Sequence, residues 1–191
     1  MIKETVLSNR SYRSFSDTKI SKEQLLDMVD TARKVPSARN LQPLKYRLCY
    51  TDDDCARLLP LTAWAGALRP LVLPPKGHEP KAYIIICTDS EISPEGTNRF
   101  IGVDIGIAAQ TIMLKATEMG LGGCMIGAFK ADEVATAMEI DKRYTPALIL
   151  ALGCPDEKVV LEDADSIEKP YYRDSCGQHH VPKRKLEDIL I

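Results

Sequence analysis

Apolar residues recur along this chain at two different spacings, and each change of spacing marks a passage between helix and strand. Residues 2 to 9 read as a short opening helix. Ser21-Lys22-Glu23-Gln24 is a capping box, and Leu25, Leu26, Met28, Val29 and Ala32 follow it at helical spacing. That helix stops near Val35-Pro36, because the residue before a proline is pushed out of the helical region. Tyr46 to Tyr50 alternates as a strand does, and Asp52 to Leu59 suits a helix. Ala82 to Thr88 is a continuous apolar run, the kind of strand buried on both faces. From Asn98 to Met119 the chain is helical and apolar nearly all round, which predicts a core element or a subunit interface. Gly102 and Gly106 would let another backbone approach that helix, and Gly120 supplies its C-terminal stop. Met125 to Phe129 reads as a short strand or turn, Ala131 to Met138 as a helix, and Ala147 to Gly153 as a second buried strand.

Two stretches break this rhythm. Pro60, Pro70, Pro74, Pro75, Gly77 and Pro80 interrupt any period between residues 60 and 80, where the only tryptophan, Trp64, also lies. An irregular segment of that length is more often functional than accidental. After Cys154-Pro155 the chain is polar and irregular to residue 180, with Leu186 to Leu190 closing it. This arm, 155 to 191, carries little apolar surface to bury on itself, so it is expected to lie along another surface such as a second subunit. Few strands between amphipathic helices predict a three-layer arrangement of the α/β or α+β class.

Composition narrows the function. At 191 residues the chain supports one substantial domain, 1 to 191. A formal charge of -2 argues against nucleic acid or an anionic membrane as partner, and no apolar run is long enough to span a bilayer. Six cysteines form no Cys-x-x-Cys pair, and three histidines, two of them adjacent, supply no third ligand. Neither a zinc site nor a redox dithiol is expected. The amino terminus is charged where a signal peptide needs an apolar core. These features read as a reduced, cytoplasmic protein with free and mostly buried thiols.

Three clusters and a basic tail carry the chemistry. Arg10, Ser11 and Arg13 place two guanidinium groups and a hydroxyl within four residues, a donor set matched to a phosphate. Pro36-Ser37-Ala38-Arg39-Asn40-Leu41-Gln42-Pro43 ends a helix and sets two amides in a turn, and amides match a ring edge of alternating carbonyls and N–H groups. Gly120-Leu121-Gly122-Gly123-Cys124-Met125-Ile126-Gly127 lacks both the dinucleotide fingerprint and a P-loop lysine. It offers bare backbone that a flat ring can approach. Lys183 and Arg184 add positive charge near the end. Each cluster alone also fits an ordinary turn or helix cap. Cys124, in apolar company, reads as an inert core thiol, and Asp104 inside an apolar helix should find a partner or an interface.

Taken in order, these segments resemble the nitroreductase family of FMN-dependent oxidoreductases. The family pattern Arg-Arg-Ser-x-Arg-x-Phe stands here as Asn9 to Phe15, and Pro-Ser-x-x-Asn-x-Gln-Pro is matched by Pro36, Ser37, Asn40, Gln42 and Pro43. Gly-Leu-Gly with an apolar turn is matched by residues 120 to 129, and the C-terminal basic residue by Lys183 or Arg184. The resemblance implies an α+β, three-layer fold whose central mixed sheet is completed by the C-terminal strand of a partner, in a homodimer with two FMN sites. It implies that Arg10, Ser11 and Arg13 hold the FMN phosphate with Lys183 or Arg184. Pro36, Ser37, Asn40 and Gln42 would reach the ribityl chain and ring from the other subunit. Backbone at Ile126, Gly127 and Ala128 would face the N5 edge. Asn9 in place of the first arginine shifts phosphate binding onto the remaining cations, and Leu44 replaces the common tryptophan after Gln-Pro.

The activity so implied is a ping-pong transfer. NADH or NADPH gives hydride to flavin N5, and a nitroaromatic, quinone or similar flat acceptor then takes it, with no catalytic side chain and no metal required. Composition makes residues 60 to 80, with Trp64 and Arg69, the candidate lid that selects the acceptor. A flavin carrier or sensor with little turnover, and a reductive dehalogenase-like member of the same fold, are the competing readings.

Overall fold

A computed structural model describes residues 2–164 and 170–191. Its central sheet has four strands: β1 (Leu44–Cys49), β2 (Ala82–Asp89), β3 (Gly122–Ile126) and β4 (Tyr144–Gly153). They lie in the order β1-β2-β4-β3, and every neighbouring pair is antiparallel. Strand alternation sorts the side chains of β2 onto two faces. Ala82, Ile84 and Ile86 join one core, with Leu150 and Leu152 of β4 and residues of α2 (Lys22–Ala32) and α4 (Ile101–Glu118). Tyr83, Ile85 and Cys87 join the other, with Ile149 and Ala151 and residues of α3 (Asp52–Leu58) and α5 (Ala131–Ala137). Two cores back to back explain the continuous apolar runs, since β2 and the 149–153 half of β4 are covered on both faces. The three-layer α+β expectation is met.

Helix ends follow local chemistry. Ser21 Oγ accepts from the Gln24 N–H while the Gln24 side chain accepts from the Ser21 N–H, so the capping box forms as read. Helix α1 (Ile2–Ser8) packs on α4. Helix α4 begins three residues later than the apolar run, at Ile101, because Asn98 Oδ1 accepts from the Phe100 N–H and holds the preceding turn. Its buried stripe contains Asp104, Ala108, Ala109, Ile112, Met113 and Ala116, while Gly102, Val103, Gly106 and Gln110 face outward. Val103 is 54% exposed, so this helix is apolar on a face that the single chain leaves uncovered.

Residues after 155 are more regular than their composition suggests. The polar stretch folds as a second sheet, β5 (Val159–Asp163), β7 (His179–Lys183) and β6 (Tyr172–Arg173), with β5 and β7 parallel and β6 antiparallel to β7. Part of the arm therefore pairs its backbone with itself, at β6 and β7 through residues too polar to be recognised as strands by hydrophobicity. His180 accounts for part of this: its ring stacks on Tyr172, with centroids 4.8 Å apart, and reaches Glu162 and Asp174. The part of the arm at 165–169 lies outside the described residues. Among the described residues no helix is long and apolar enough to cross a membrane.

Candidate active site

Within the glycine-rich stretch, Gly122 and Gly123 have a packing role that the sequence reading did not give them. Gly122 and Gly123 lie inside β3, and their missing side chains make room for protein. A Cβ on Gly123 would fall 2.1 Å from the Ala151 carbonyl oxygen, and one on Gly122 2.5 Å from the Tyr12 ring. The bare backbone lets the 11–15 segment lie along the sheet edge. Ser11 forms a parallel bridge to Gly123, and the Tyr12 N–H donates to the Gly123 carbonyl at 2.9 Å. The glycines thus act on the first cluster by positioning it.

That placement builds a cavity of about 410 Å³, onto which Arg10, Ser11, Arg13 and Lys183 open together with Tyr171 and His179. Here β7 shows its period of two: His179, Val181 and Lys183 line the cavity, whereas Arg184 does not. Arg10 Nη2 donates to the Val6 carbonyl at 2.6 Å. Arg13 is buried at 8% exposure; its Nη1 donates to the Ser11 carbonyl and to His179 Nε2, and its guanidinium lies 5.1 Å from the Tyr171 ring centre. The Nε atoms of Arg10 and Arg13 are both buried without a hydrogen-bond partner among the described residues. Glu157 accepts from the Arg13 backbone N–H and from the Arg173 guanidinium, tying this segment to the small sheet.

His179, one of the two adjacent histidines, opens strand β7 of the small sheet. Its place is beside Arg13. A guanidinium can only donate, so Nε2 accepts and the neutral ring carries its proton on Nδ1. Burial first, and the Arg13 guanidinium second, push its pKa down to about 4. Tyr171 and His179 are the site-lining residues that sequence reasoning missed. The alternation His179-Val181-Lys183 was the available signal, hidden because only one of the three is apolar.

Asn9 stands where the family pattern has an arginine, and it serves as an anchor. Its Nδ2 donates to the Met113 carbonyl at 3.1 Å and to Thr117 Oγ1 at 2.9 Å, while its Oδ1 accepts from Gln110 at 3.2 Å. The substitution fastens this segment to α4 and contributes no charge to the cavity.

Pro36, Ser37 and Gln42 line a different cavity, of about 210 Å³, with Asp104 and Tyr46. Asp104 has found its partners: Oδ2 accepts from Ser37 Oγ at 2.8 Å and Oδ1 from the Ala38 N–H at 3.0 Å. Ser37 Oγ in turn accepts from the Gln42 N–H at 3.1 Å. The turn held this way is strained, with Arg39, Asn40 and Gln42 at φ of 54°, 56° and 50°. The two amides pair with each other, Gln42 Nε2 donating to Asn40 Oδ1 at 3.1 Å, and Asn40 lies outside that cavity.

Ile126, Gly127 and Ala128 border neither of these two cavities. The Ile126 side chain is core, 3% exposed, while Gly127 and Ala128 are exposed just beyond β3. The irregular 60–80 segment is fastened at both ends: Ala63 N–H donates to the Ala128 carbonyl, and His78 accepts at its carbonyl from the Phe15 N–H. Trp64 is half-buried and donates to Thr62 Oγ1 at 2.8 Å; Arg69 is exposed. Cys49, Cys87 and Cys124 are buried and Cys176 is exposed, all six thiols being free. Burial pushes Cys49 and Cys87 up to about 12 and raises Cys124 as well, so these remain protonated thiols.

Comparison with known proteins agrees with this geometry. The family model "Nitroreductase family" matches residues 6–154. A Bacillus subtilis protein, YodC, named as an NAD(P)H nitroreductase, is 26% identical over 161 residues, covering 70% of this chain and 79% of its own. The FMN reductase (NADPH) of the same organism is 28% identical over 171 residues, covering 80% of this chain and 65% of its own. A crystal structure from Staphylococcus epidermidis, titled as an NAD(P)H:FMN oxidoreductase, superposes with a TM-score of 0.74 over 100% of this chain and 95% of that one, at 19% identity. With the family model spanning most of its length and the layered fold matched throughout, the chain belongs to the nitroreductase family.

Proposed function

We propose that the protein is an FMN-dependent oxidoreductase that draws electrons from NADH or NADPH and delivers them to a nitroaromatic, quinone or similar flat acceptor. The observation that carries this reading is the 410 Å³ cavity where Arg10, Arg13 and Lys183 converge with two guanidinium Nε–H groups that have no partner. Buried donors without acceptors are rare, and a phosphate answers them in number and in charge. The residues present therefore fit the phosphate of FMN. Relatives named for FMN reduction and for NAD(P)H support the same choice.

Bound FMN would supply the two-electron relay between the nicotinamide and the acceptor. The side chains bind and orient. Arg10, Arg13 and Lys183 neutralise the phosphate, with Ser11 donating a further hydrogen bond. Neutral His179 fixes the Arg13 guanidinium without adding a competing positive charge. Asp104 clamps the 37–42 turn through Ser37, presenting Asn40 and Gln42. The exposed backbone at Gly127 and Ala128 leaves room for a ring, which a larger side chain at 127 would fill.

Phosphate-cluster and turn residues open onto separate cavities in one chain, which supports a site assembled from two copies. A homodimer would also cover Val103 on α4 and the exposed Leu186, Ile189 and Leu190. In this reading residues 1–191 form one domain, the 155–191 arm reaches the partner, and residues 60–80, with Trp64 and Arg69, form the lid that selects the acceptor.

An absorbance spectrum of the purified protein, before and after anaerobic NADH or NADPH, tests the proposal. Flavin bands that bleach with either nicotinamide are expected. Bound flavin that neither nicotinamide reduces would point to a carrier, and a colourless protein that takes up no added FMN would overturn the assignment.

A further inference from the structure

A third cavity, of about 390 Å³, lies between the 38–41 turn and the residues leading into α4. Arg39 and Arg99 line it with Ser93, Thr97 and Asn98, and no carboxylate is among its lining residues. We propose that this cavity binds an anionic group, phosphate or carboxylate, carried by one of the two exchanging substrates, and that Arg39 and Arg99 hold it.

Four observations converge on that assignment. Arg33, Arg57, Arg143 and Arg173 are all committed to carboxylates. Arg39 and Arg99 make neither an ion pair nor a side-chain hydrogen bond among the described residues, so both guanidinium groups keep their donors. The Arg99 guanidinium is steadied by the Phe100 ring, 4.6 Å from its centre. Asn98 Oδ1 is occupied by the Phe100 N–H, while its Nδ2 is buried with no acceptor. A buried amide donor without an acceptor is uncommon in a folded protein. Finally, the eighteen-residue helix α4 starts here without a side-chain cap, and Asp104 of its first turn is committed to Ser37 and Ala38, so the positive end of the helix lies beside the cavity.

Arg39 also sits at φ 54°, a left-handed position where glycine or asparagine is the less strained choice. A long cation held there by the Asp104 clamp is the kind of outlier that marks a binding position.

The location names the ligand. The cavity shares its turn with Asn40, proposed above to face FMN, so the anion belongs to a molecule approaching the flavin; this step rests on the flavin assignment. Two sources have the required chemistry: the 2′-phosphate that distinguishes NADPH from NADH, and a carboxylate on an aromatic acceptor.

The test is the R39Q/R99Q double variant, loaded with FMN and assayed with NADPH against NADH and with nitrobenzoate against nitrobenzene. KM should rise roughly tenfold or more for one charged partner, with kcat and the uncharged counterpart unaffected. R39K/R99K should restore much of the loss. A change confined to NADPH identifies the reductant as the source, and one confined to nitrobenzoate identifies the acceptor. No change in either pair, with flavin bound and bleached by NADH, overturns the proposal. Should the wild-type protein bind no FMN, the flavin assignment fails and the anion site is read separately, by calorimetric titration of inorganic pyrophosphate. A binding event that R39Q/R99Q removes and Arg10→Gln does not would uphold the site; a titration unchanged by R39Q/R99Q would overturn it.

Discussion

Asp104→Ala isolates the link between the long helix and the strained turn. The carboxylate is 3% exposed, and its two oxygens accept from Ser37 Oγ and the Ala38 N–H. Hydrogen bonds to a charged acceptor contribute about 1.5–3 kcal/mol each, so two contribute on the order of 3–6 kcal/mol. Relief of a buried carboxylate's desolvation offsets part of this. Ser37 keeps its contact with the Gln42 N–H, while the Ala38 N–H loses the Asp104 acceptor. A net destabilisation of about 2–4 kcal/mol is expected, roughly 4–16 °C in Tm for a domain of this size. The loss should concentrate in the turn, because three residues there sit at positive φ and relax once the clamp is gone. Denaturant unfolding measures the first part, and the rate of tryptic cleavage after Arg39 in the folded protein measures the second. FMN affinity should fall with them. An Asp104→Ala protein within about 0.5 kcal/mol of wild type, and no more readily cut at Arg39, would refute the clamp.

Gly123→Ala should cost about 1–3 kcal/mol and weaken FMN binding, since its Cβ would meet the Ala151 carbonyl and push Ser11 off the sheet edge; unchanged stability and affinity would contradict this. Lys183→Gln should weaken FMN binding roughly tenfold or more while Arg184→Gln leaves it unchanged, read by flavin fluorescence titration, and the reverse order would reassign the phosphate contact. His179 is held below its ordinary value of 6.5 at about 4, so the unfolded chain takes up its proton first as pH falls. Its contribution to stability is full above about 6.5 and lost progressively toward 4, by at most about 3 kcal/mol; if His179→Gln leaves the slope of stability between those pH values unaltered, that coupling is absent. Trp64→Ala should change the relative rates for several acceptors, and identical relative rates would remove this segment from acceptor choice.

The sheet and its helices were legible because burial on two faces writes itself into the chain. Ile84, Ile85 and Ile86 face alternate cores, yet all are apolar, so the strand shows as a run. The 36–43 turn was legible for a similar reason, since proline, serine and amides announce a stop and a turn locally. The small sheet was not. His179, His180 and Lys183 are strand residues fixed by partners at positions 157 to 174, and no hydrophobic period records such pairing.

Sequence by itself determined the elements, the layered arrangement and the segments that resemble a flavin site, because these depend on local propensity and on apolar content. Tertiary structure alone decided what those segments do to one another. It made Gly122 and Gly123 of β3 the seat of the Arg10–Arg13 segment, put Lys183 and not Arg184 on the cavity wall, and brought His179 against Arg13. It also gave Asp104 to the turn and left Arg39 and Arg99, among the described residues, unpaired around one cavity. Each of those outcomes depends on distances between residues far apart in the chain, and close approach, burial and the loss of a partner have no signature in spacing along it.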